Sequence, residues 1–292
     1  MVRCAIAAMP DERWLGAVMP LLEQGEVEAL EWSFDCDWNR GTVPEWTHQL
    51  IRHYSEGARL FGHGISLSLL STELAHHEQW FEKFERVCRD LSFVHVSEHF
   101  GFTRTGNAHH EAPLPCPYDP IIATLGASRL QRMKSICGSP VGVENLALAL
   151  SPDDVRMHSR FIEEIVTPAD GFVLLDLHNL YCQSVNFGLG MMELVQSYPL
   201  ERVCELHLSG GSWNEVNVYG VSSSIRRDTH DAAVPDSLWE VLPEVIRKTP
   251  NLRVVTLEQL PDGLAHAPAA EAYREDYRKL RRIVEGGRDA GA

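Results

Sequence analysis

The chain alternates between short apolar segments and longer amphipathic segments. The short segments carry apolar side chains at successive positions, which is typical of parallel strands buried on both faces. Their polar residues gather at the carboxyl ends. The predicted strands span residues 2–8, 27–34, 62–69, 93–99, 141–145, 172–179, 202–208 and 253–259.

The amphipathic segments between these strands have apolar residues at helical spacing. Examples span residues 46–56, 74–88, 120–135, 159–166, 190–198 and 237–248. Eightfold alternation of strand and helix predicts an α/β fold, a (β/α)8 TIM barrel. We expect one catalytic domain over 1–285 and a disordered tail over 286–292, with long loops at 103–118 and 210–227.

Charge and composition narrow the functional classes. The net charge of −15 disfavours nucleic acid as a partner, because phosphate contacts need lysine and arginine. No apolar run approaches the roughly 20 residues of a membrane span, and the N-terminal segment has no long apolar signal region. The seven cysteines are scattered without a CxxC pair, as expected for reduced thiols. We therefore expect a cytoplasmic protein with no membrane partner.

Imidazoles and carboxylates stand at or just after the predicted strand ends, which converge at one mouth of a parallel barrel. Carboxylates gathered there without a cation would repel one another and raise their pKa values. Bound divalent or trivalent cations remove this repulsion, and the mixed donor set suits zinc, iron or manganese. The residues are His63, His99, Glu144, Asp176, His207, Asp228, His230 and Glu258.

These side chains divide into three groups. We predict that His63, His99 and Glu144 hold one ion. Glu144 would bridge to a second ion, held by Asp176, His207 and Glu258, and Asp228 and His230 would hold a third with help from Asn179.

The remaining histidines are interpreted differently. Asn179 has better ligand spacing than its neighbour His178, and His95 is expected to be a core or supporting residue below His99. Surface positions are predicted for His48, His53, His76, His77, His109, His110, His158 and His266.

The ordered motifs GHGISLSL, VSEHF, VENL, LLDLHNLYCQSVNFG, ELHLSGG, DTHDAAVPDSLWEVL and TLEQ extend from about Gly62 to Gln259. Together they resemble the DUF692 family, the multinuclear non-heme iron-dependent oxidative enzymes, whose best-known kind is methanobactin biosynthesis protein B. The resemblance implies a TIM barrel with two or three iron ions (Fe2+/Fe3+) and O2 as co-substrate. It also implies modification of a ribosomally made precursor peptide, commonly at cysteine, with a partner protein that grips the leader peptide.

The family's ligand positions fall on the residues named above, Asn179 included, and we expect His99, Glu144 and Asp176 to be catalytic. Three positions depart from the family pattern. Leu146 follows VEN where a proline is usual, HLSGG ends in Gly211 where HLAGH has histidine, and LEQL replaces IEWD at the last strand. None of these removes a presumed ligand, but they bear on which substrate is handled.

Other functional classes share this pattern. Endonuclease IV is a trizinc barrel with a similar ligand order, but it has histidine at the position of Asn179. A xylose isomerase-like sugar enzyme or a metal-binding scaffold would also place carboxylates at strand ends. A keto-sugar isomerase would need a lysine near its metals, and the motifs contain none. Zinc remains an alternative to iron.

Overall fold

A computed structural model describes residues 2–36, 38, 43–105, 108–218 and 220–289. Eight parallel strands close into a barrel. The barrel strands are β1 Arg3–Ala8, β2 Ala29–Trp32, β3 Leu60–Gly64, β4 Val96–His99, β7 Val141–Glu144, β8 Phe172–Asp176, β9 Val203–Leu208 and β12 Val254–Leu257. Their order around the barrel is β1-β12-β9-β8-β7-β4-β3-β2. The predicted TIM barrel is confirmed.

Helices follow the strands around the outside of the barrel. The helices are α1 Glu12–Glu23, α2 Glu45–Glu56, α3 Leu74–Asp90, α4 Pro120–Cys137, α5 Pro152–Val166, α6 Leu177–Phe187, α7 Met191–Ser197, α8 Asp236–Lys248 and α9 Ala267–Asp289.

Two antiparallel hairpins occupy the segments that the sequence predicts as long loops. Strands β5 Phe102–Thr105 and β6 Ala108–Leu114 form one, and β10 Trp213–Val218 and β11 Val221–Arg226 form the other. The loop predictions for 103–118 and 210–227 are therefore wrong in these parts. Gly220, at a φ of 85°, supplies the left-handed backbone that lets the second hairpin turn.

The barrel interior is layered because alternate residues of each strand point inward. Ala5, Ala29, Phe61 and Val254 form an apolar cluster within it. Two residues further along their strands come Glu31 and His63, nearer the carboxyl ends. A larger apolar core packs between the barrel and its helices. Polar side chains are thus concentrated toward one mouth of the barrel.

Helix α6 begins directly at the end of β8. The Asp176 carboxylate accepts a hydrogen bond of 2.6 Å from the backbone N–H of Asn179, which makes Asp176 the N-cap of this helix. The sequence analysis extends the strand to residue 179 and misses this junction. The early helix start fixes Asp176 and Asn179 in one short turn at the barrel mouth.

Two histidines predicted at the surface are buried. His77 lies on the inward face of α3 with Trp80 and Phe81, and His158 on the inward face of α5 with Phe161. Both lie three or four positions from large apolar residues on their helices, so they share the buried face. Burial lowers the pKa of each imidazole to about 4, Arg129 adding to the effect at His77.

Most of the other histidines predicted at the surface are exposed. His48, His53, His110 and His266 are exposed and His76 is partly buried, while the side chain of His109 lies outside the described residues.

Helix α9 continues to Asp289, so the disorder predicted from residue 286 does not begin there, and residues 290–292 lie outside the described residues. The cysteines form no disulfide in the described part of the chain. No helix among the described residues is long and apolar enough to cross a membrane.

Candidate metal centre

Three side chains meet at the ends of β3, β4 and β7. The Nε2 atoms of His63 and His99 are 3.2 Å apart, and they lie 3.3 and 3.0 Å from Oε2 of Glu144. Atoms bound to one cation at about 2.0–2.2 Å lie roughly 3–3.5 Å from one another. The spacing of the first group therefore matches the spacing of ligands around a single ion.

A second group surrounds His207 on β9. Its Nδ1 atom is 3.5 Å from Oε1 of Glu144, 3.5 Å from Oε2 of Glu258 and 3.9 Å from Oδ2 of Asp176. Glu144 thus directs one oxygen at the two histidines of the first group and the other oxygen at His207. This is the geometry of a carboxylate that bridges two ions.

A third group lies on the other side of Glu258. Oε1 of Glu258 is 3.3 Å from Nδ1 of His230, and Nε2 of His230 is 2.8 Å from Oδ1 of Asp228. Asp176, His230 and Glu258 also have ligand atoms within 4.8 Å of one another. His230 has a φ of 51°, a left-handed conformation that is uncommon for residues other than glycine. In this conformation the imidazole faces both Asp228 and Glu258.

Several polar atoms in these groups are buried without a hydrogen-bond partner. Such atoms are rare because they lose water and gain nothing in return. A cation at the centre of each group would satisfy them, so the residues present fit divalent metal ions. The atoms are Oδ2 of Asp176, Oδ1 of Asn179 and Nδ1 of His207.

The carboxylates and imidazoles of these groups shift one another's pKa values. Burial opposes ionisation of Glu144, but the imidazoles of His99, His207 and His63 outweigh it and hold its pKa well below the usual range. Burial and the charges of Asp228 and Glu144 raise the pKa of Asp176 well above its usual value. Burial disfavours the charged form of His63, yet Glu144 raises its pKa to about 9. Bound cations would favour ionised carboxylates and neutral imidazoles, which would reverse the shifts of Asp176 and His63.

Two carboxylates that the sequence analysis does not identify, Glu31 and Glu205, lie beside His207 on the side away from the ligand cluster. Its Nε2 donates a hydrogen bond of 2.8 Å to Glu31, which leaves Nδ1 to face the ligand cluster. Glu205 accepts hydrogen bonds from His95 at 2.7 Å and from Thr256 at 2.9 Å. Glu31, Glu205 and His207 are close enough to hold an ion, but these hydrogen bonds already occupy them. We therefore interpret them as supports of the ligand cluster, and His95 as a buried core residue.

Replacing Glu31 by leucine is expected to weaken metal binding about 10- to 100-fold, the usual effect of removing a hydrogen bond that orients a ligating histidine. Glu31→Gln keeps an acceptor oxygen for His207 and should retain most of the affinity. Competition with a chromophoric zinc chelator measures both variants. Equal affinities for wild type and Glu31→Leu would contradict this role.

The structure brings all nine predicted residues to one mouth of the barrel. Asn179 directs its Nδ2 to the carbonyl oxygen of Asn145 at 2.8 Å, while its Oδ1 has no hydrogen-bond partner. His178 does not face the cluster in the same way, because its Nδ1 is 2.8 Å from Asp228 and its Nε2 is 3.0 Å from Arg226. Asn179 is thus the better placed of the two to reach an ion.

A cavity of about 420 Å³ opens onto this cluster. Its wall includes Ala112 and Pro113 of one hairpin and Val216 and Ile225 of the other, with Leu148 from the β7–α5 connection. His99, Glu144, Asn179, Asp228 and His230 line its inner end. The cavity therefore joins an apolar entrance to the candidate ligands.

Solved structures with a similar fold include a protein with a bound zinc atom and a sugar epimerase. The IOLI protein with a binding zinc atom has a TM-score of 0.59 at 13% identity, covering 98% of this chain and 99% of that one. L-ribulose 3-epimerase has a TM-score of 0.61 at 12% identity, covering 100% and 97%. At these identities the likeness shows a xylose isomerase-like TIM barrel and nothing about the reaction.

Relatives found by sequence have higher identities to this chain than these solved structures have. A UPF0276 protein of Acinetobacter baylyi is 29% identical over 197 residues, which is 66% of this chain and 64% of that protein. A UPF0276 protein of Chromobacterium violaceum is 27% identical over 227 residues, 76% of this chain and 79% of that protein. The alignment thus spans slightly less than two thirds of the Acinetobacter relative.

The family model described as RiPP precursor modification enzyme MbnB/TglH/ChrH matches residues 38–284. RiPPs are ribosomally synthesised peptides that are modified after translation. The match covers most of the chain and includes both hairpins and all the candidate ligands. The chain therefore belongs to the MbnB/TglH/ChrH family of RiPP precursor modification enzymes, the DUF692 family that its motifs indicate.

Proposed function

We propose that the protein is a multinuclear non-heme iron enzyme that uses O2 to modify a ribosomally synthesised precursor peptide at cysteine. The observation that carries the proposal is the division of Glu144 between two groups of imidazoles, 3.0 Å from His99 on one side and 3.5 Å from His207 on the other. Such an arrangement favours two metal ions sharing one carboxylate. The family match supports a peptide as the substrate.

The residues would hold two or three iron ions. His63, His99 and Glu144 would bind the first, and His207, Asp176 and Glu258 with Glu144 the second. Asp228 and His230, with Oδ1 of Asn179, would bind the third. When bound, ferrous ions would supply the redox chemistry and would lower the pKa of a coordinating thiol.

The protein's own contribution is to position the substrate and to exclude water. The exposed fraction of the His99 side chain is 23%, against 4% for His63, so His99 is the histidine of the first group that faces the cavity. The apolar wall formed by Leu148, Val216 and Ile225 can cover an extended peptide segment and limit access of water. We propose that His99, Glu144 and Asp176 are catalytic because they would hold the ions at which the peptide reacts.

Mass spectrometry of a co-expressed peptide tests this function. A candidate precursor peptide that contains cysteine is co-expressed with the iron-loaded chain and with a candidate leader-binding partner protein. We expect a mass change that requires both iron and O2 and that disappears when the peptide cysteine is replaced by serine.

Two results would contradict the proposal. One is an unmodified peptide in the presence of fully iron-loaded protein and partner. The other is cleavage of abasic DNA by a zinc-loaded preparation, which would favour an endonuclease IV-like phosphodiesterase.

A further inference from the structure

A buried arginine stands directly behind the candidate ligand Asp228. Arg226 is the last residue of β11, and only 7% of its surface is exposed. Its guanidinium group contacts the imidazole of His178, with Nη2 3.0 Å and Nε 3.3 Å from Nε2 of the ring. The other ring nitrogen, Nδ1, is 2.8 Å from Oδ1 of Asp228. The three side chains form a continuous row that ends at the metal cluster.

The direction of each hydrogen bond in this row follows from the chemistry of arginine. A guanidinium group has only donors, so Nε2 of His178 must accept. The proton of the neutral ring then lies on Nδ1, which donates to the carboxylate of Asp228. Arg226 therefore selects the ring tautomer that can hold Asp228.

Packing fixes the row in place. The side-chain amide of Asn186 accepts from the backbone N–H of Arg226 at 2.8 Å and donates to its carbonyl oxygen at 2.9 Å. A Cβ atom on Gly211 would lie 2.8 Å from Cε1 of His178 and would clash with the carbonyl oxygen of Arg227. A larger side chain at position 211 therefore has no room, and His178 packs against this glycine.

We propose that Arg226 and His178 are positioning residues that hold Asp228 for the third metal ion. The proposal rests on the metal centre described above and adds a hydrogen-bonded connection to it. Because Arg226 belongs to the β10–β11 hairpin and also lines the cavity, the wall that would contact the substrate is joined to a metal ligand.

Metal counting on four variants tests the connection. Each variant is loaded with ferrous iron and passed through a gel-filtration column. Inductively coupled plasma mass spectrometry then gives the number of iron ions retained per chain, and competition with a chelator gives their affinity. His178→Leu and Arg226→Leu should bind the most weakly held ion about 10- to 100-fold less tightly. His178→Gln should retain it, because one amide can accept from Arg226 and donate to Asp228. Arg227→Leu removes the neighbouring, exposed arginine and should keep wild-type metal content.

A spectroscopic measurement reports on the His178 ring in the wild-type protein itself and needs only the His178→Gln variant for assignment. Nitrogen-15 NMR of the zinc-loaded wild-type protein distinguishes the two neutral tautomers of a histidine ring, and the His178 signal is assigned by its loss in His178→Gln. We expect the proton on Nδ1.

The outcomes separate this inference from the proposed function. A proton on Nε2, or equal metal content in His178→Leu and His178→Gln, would overturn the positioning role while leaving the metal centre intact. A wild-type protein that retains no metal would refute the metal centre itself, and the positioning role with it.

Discussion

Replacing Glu144 by alanine is expected to reduce peptide modification by at least about 10³-fold and to remove more than one metal ion per chain. A metal centre supplies several kcal/mol of transition-state stabilisation, and about 1.4 kcal/mol corresponds to each factor of ten in rate. The loss should exceed one ion because the two carboxylate oxygens face different groups, one around His99 and the other around His207. Peptide turnover and metal analysis of the same preparation measure both effects.

Two further variants make this result specific. Glu163→Ala removes an exposed carboxylate from α5 and should change neither quantity. His99→Ala should abolish modification but lose fewer ions than Glu144→Ala, because His99 contacts the first group alone. Full metal content in folded Glu144→Ala protein would contradict the bridging role.

Removing the metal ions is expected to lower the melting temperature substantially. A ligand present at about 100 times its Kd stabilises the folded state by about 2.7 kcal/mol per site. For chains of this size roughly 2–4 °C accompanies each kcal/mol, so two or three sites predict a decrease of about 10–30 °C. Without cations, burial and neighbouring charges favour the protonated form of Asp176, while the ionised Glu144 and Glu258 depend on nearby imidazoles for compensation.

Thermal unfolding with and without a strong chelator measures this decrease. Adding back ferrous iron or zinc should restore the melting temperature. In Glu144→Ala the chelator should have a smaller effect, because fewer ions remain to be removed. An identical melting temperature for metal-loaded and chelated wild type would show that the cluster is stable as a set of hydrogen-bonded acids and imidazoles.

The barrel is predictable from the sequence because buried parallel strands carry a strong local signal. The ends of strands are harder to place. The apolar run after His63 continues through Leu67, Leu69 and Leu70, which pack into the core from a connection rather than a strand. At residue 176 the strand gives way to a helix because the Asp176 side chain caps it, a tertiary and capping effect that an apolar run does not reveal.

The candidate ligands are predictable because they stand at strand ends, whereas their supports lie one layer deeper. Glu205 precedes His207 by two residues on β9, and His95 precedes His99 by four, so period-two alternation was the available signal for both. Glu31 offers a weaker signal, since its partner His207 is distant in sequence. The hairpin from Trp213 to Arg226 carries Val216 and Val218 two positions apart, as a strand does, but its many polar residues favour a loop in sequence analysis.

Crystals of the iron-loaded protein, measured at the iron absorption edge, test the central claim most directly. We predict anomalous peaks on both sides of Glu144, one near Nε2 of His63 and His99 and one near Nδ1 of His207, each about 2.0–2.2 Å from its ligand atoms. A protein that takes up iron but shows no peak beside either oxygen of Glu144 would contradict the account.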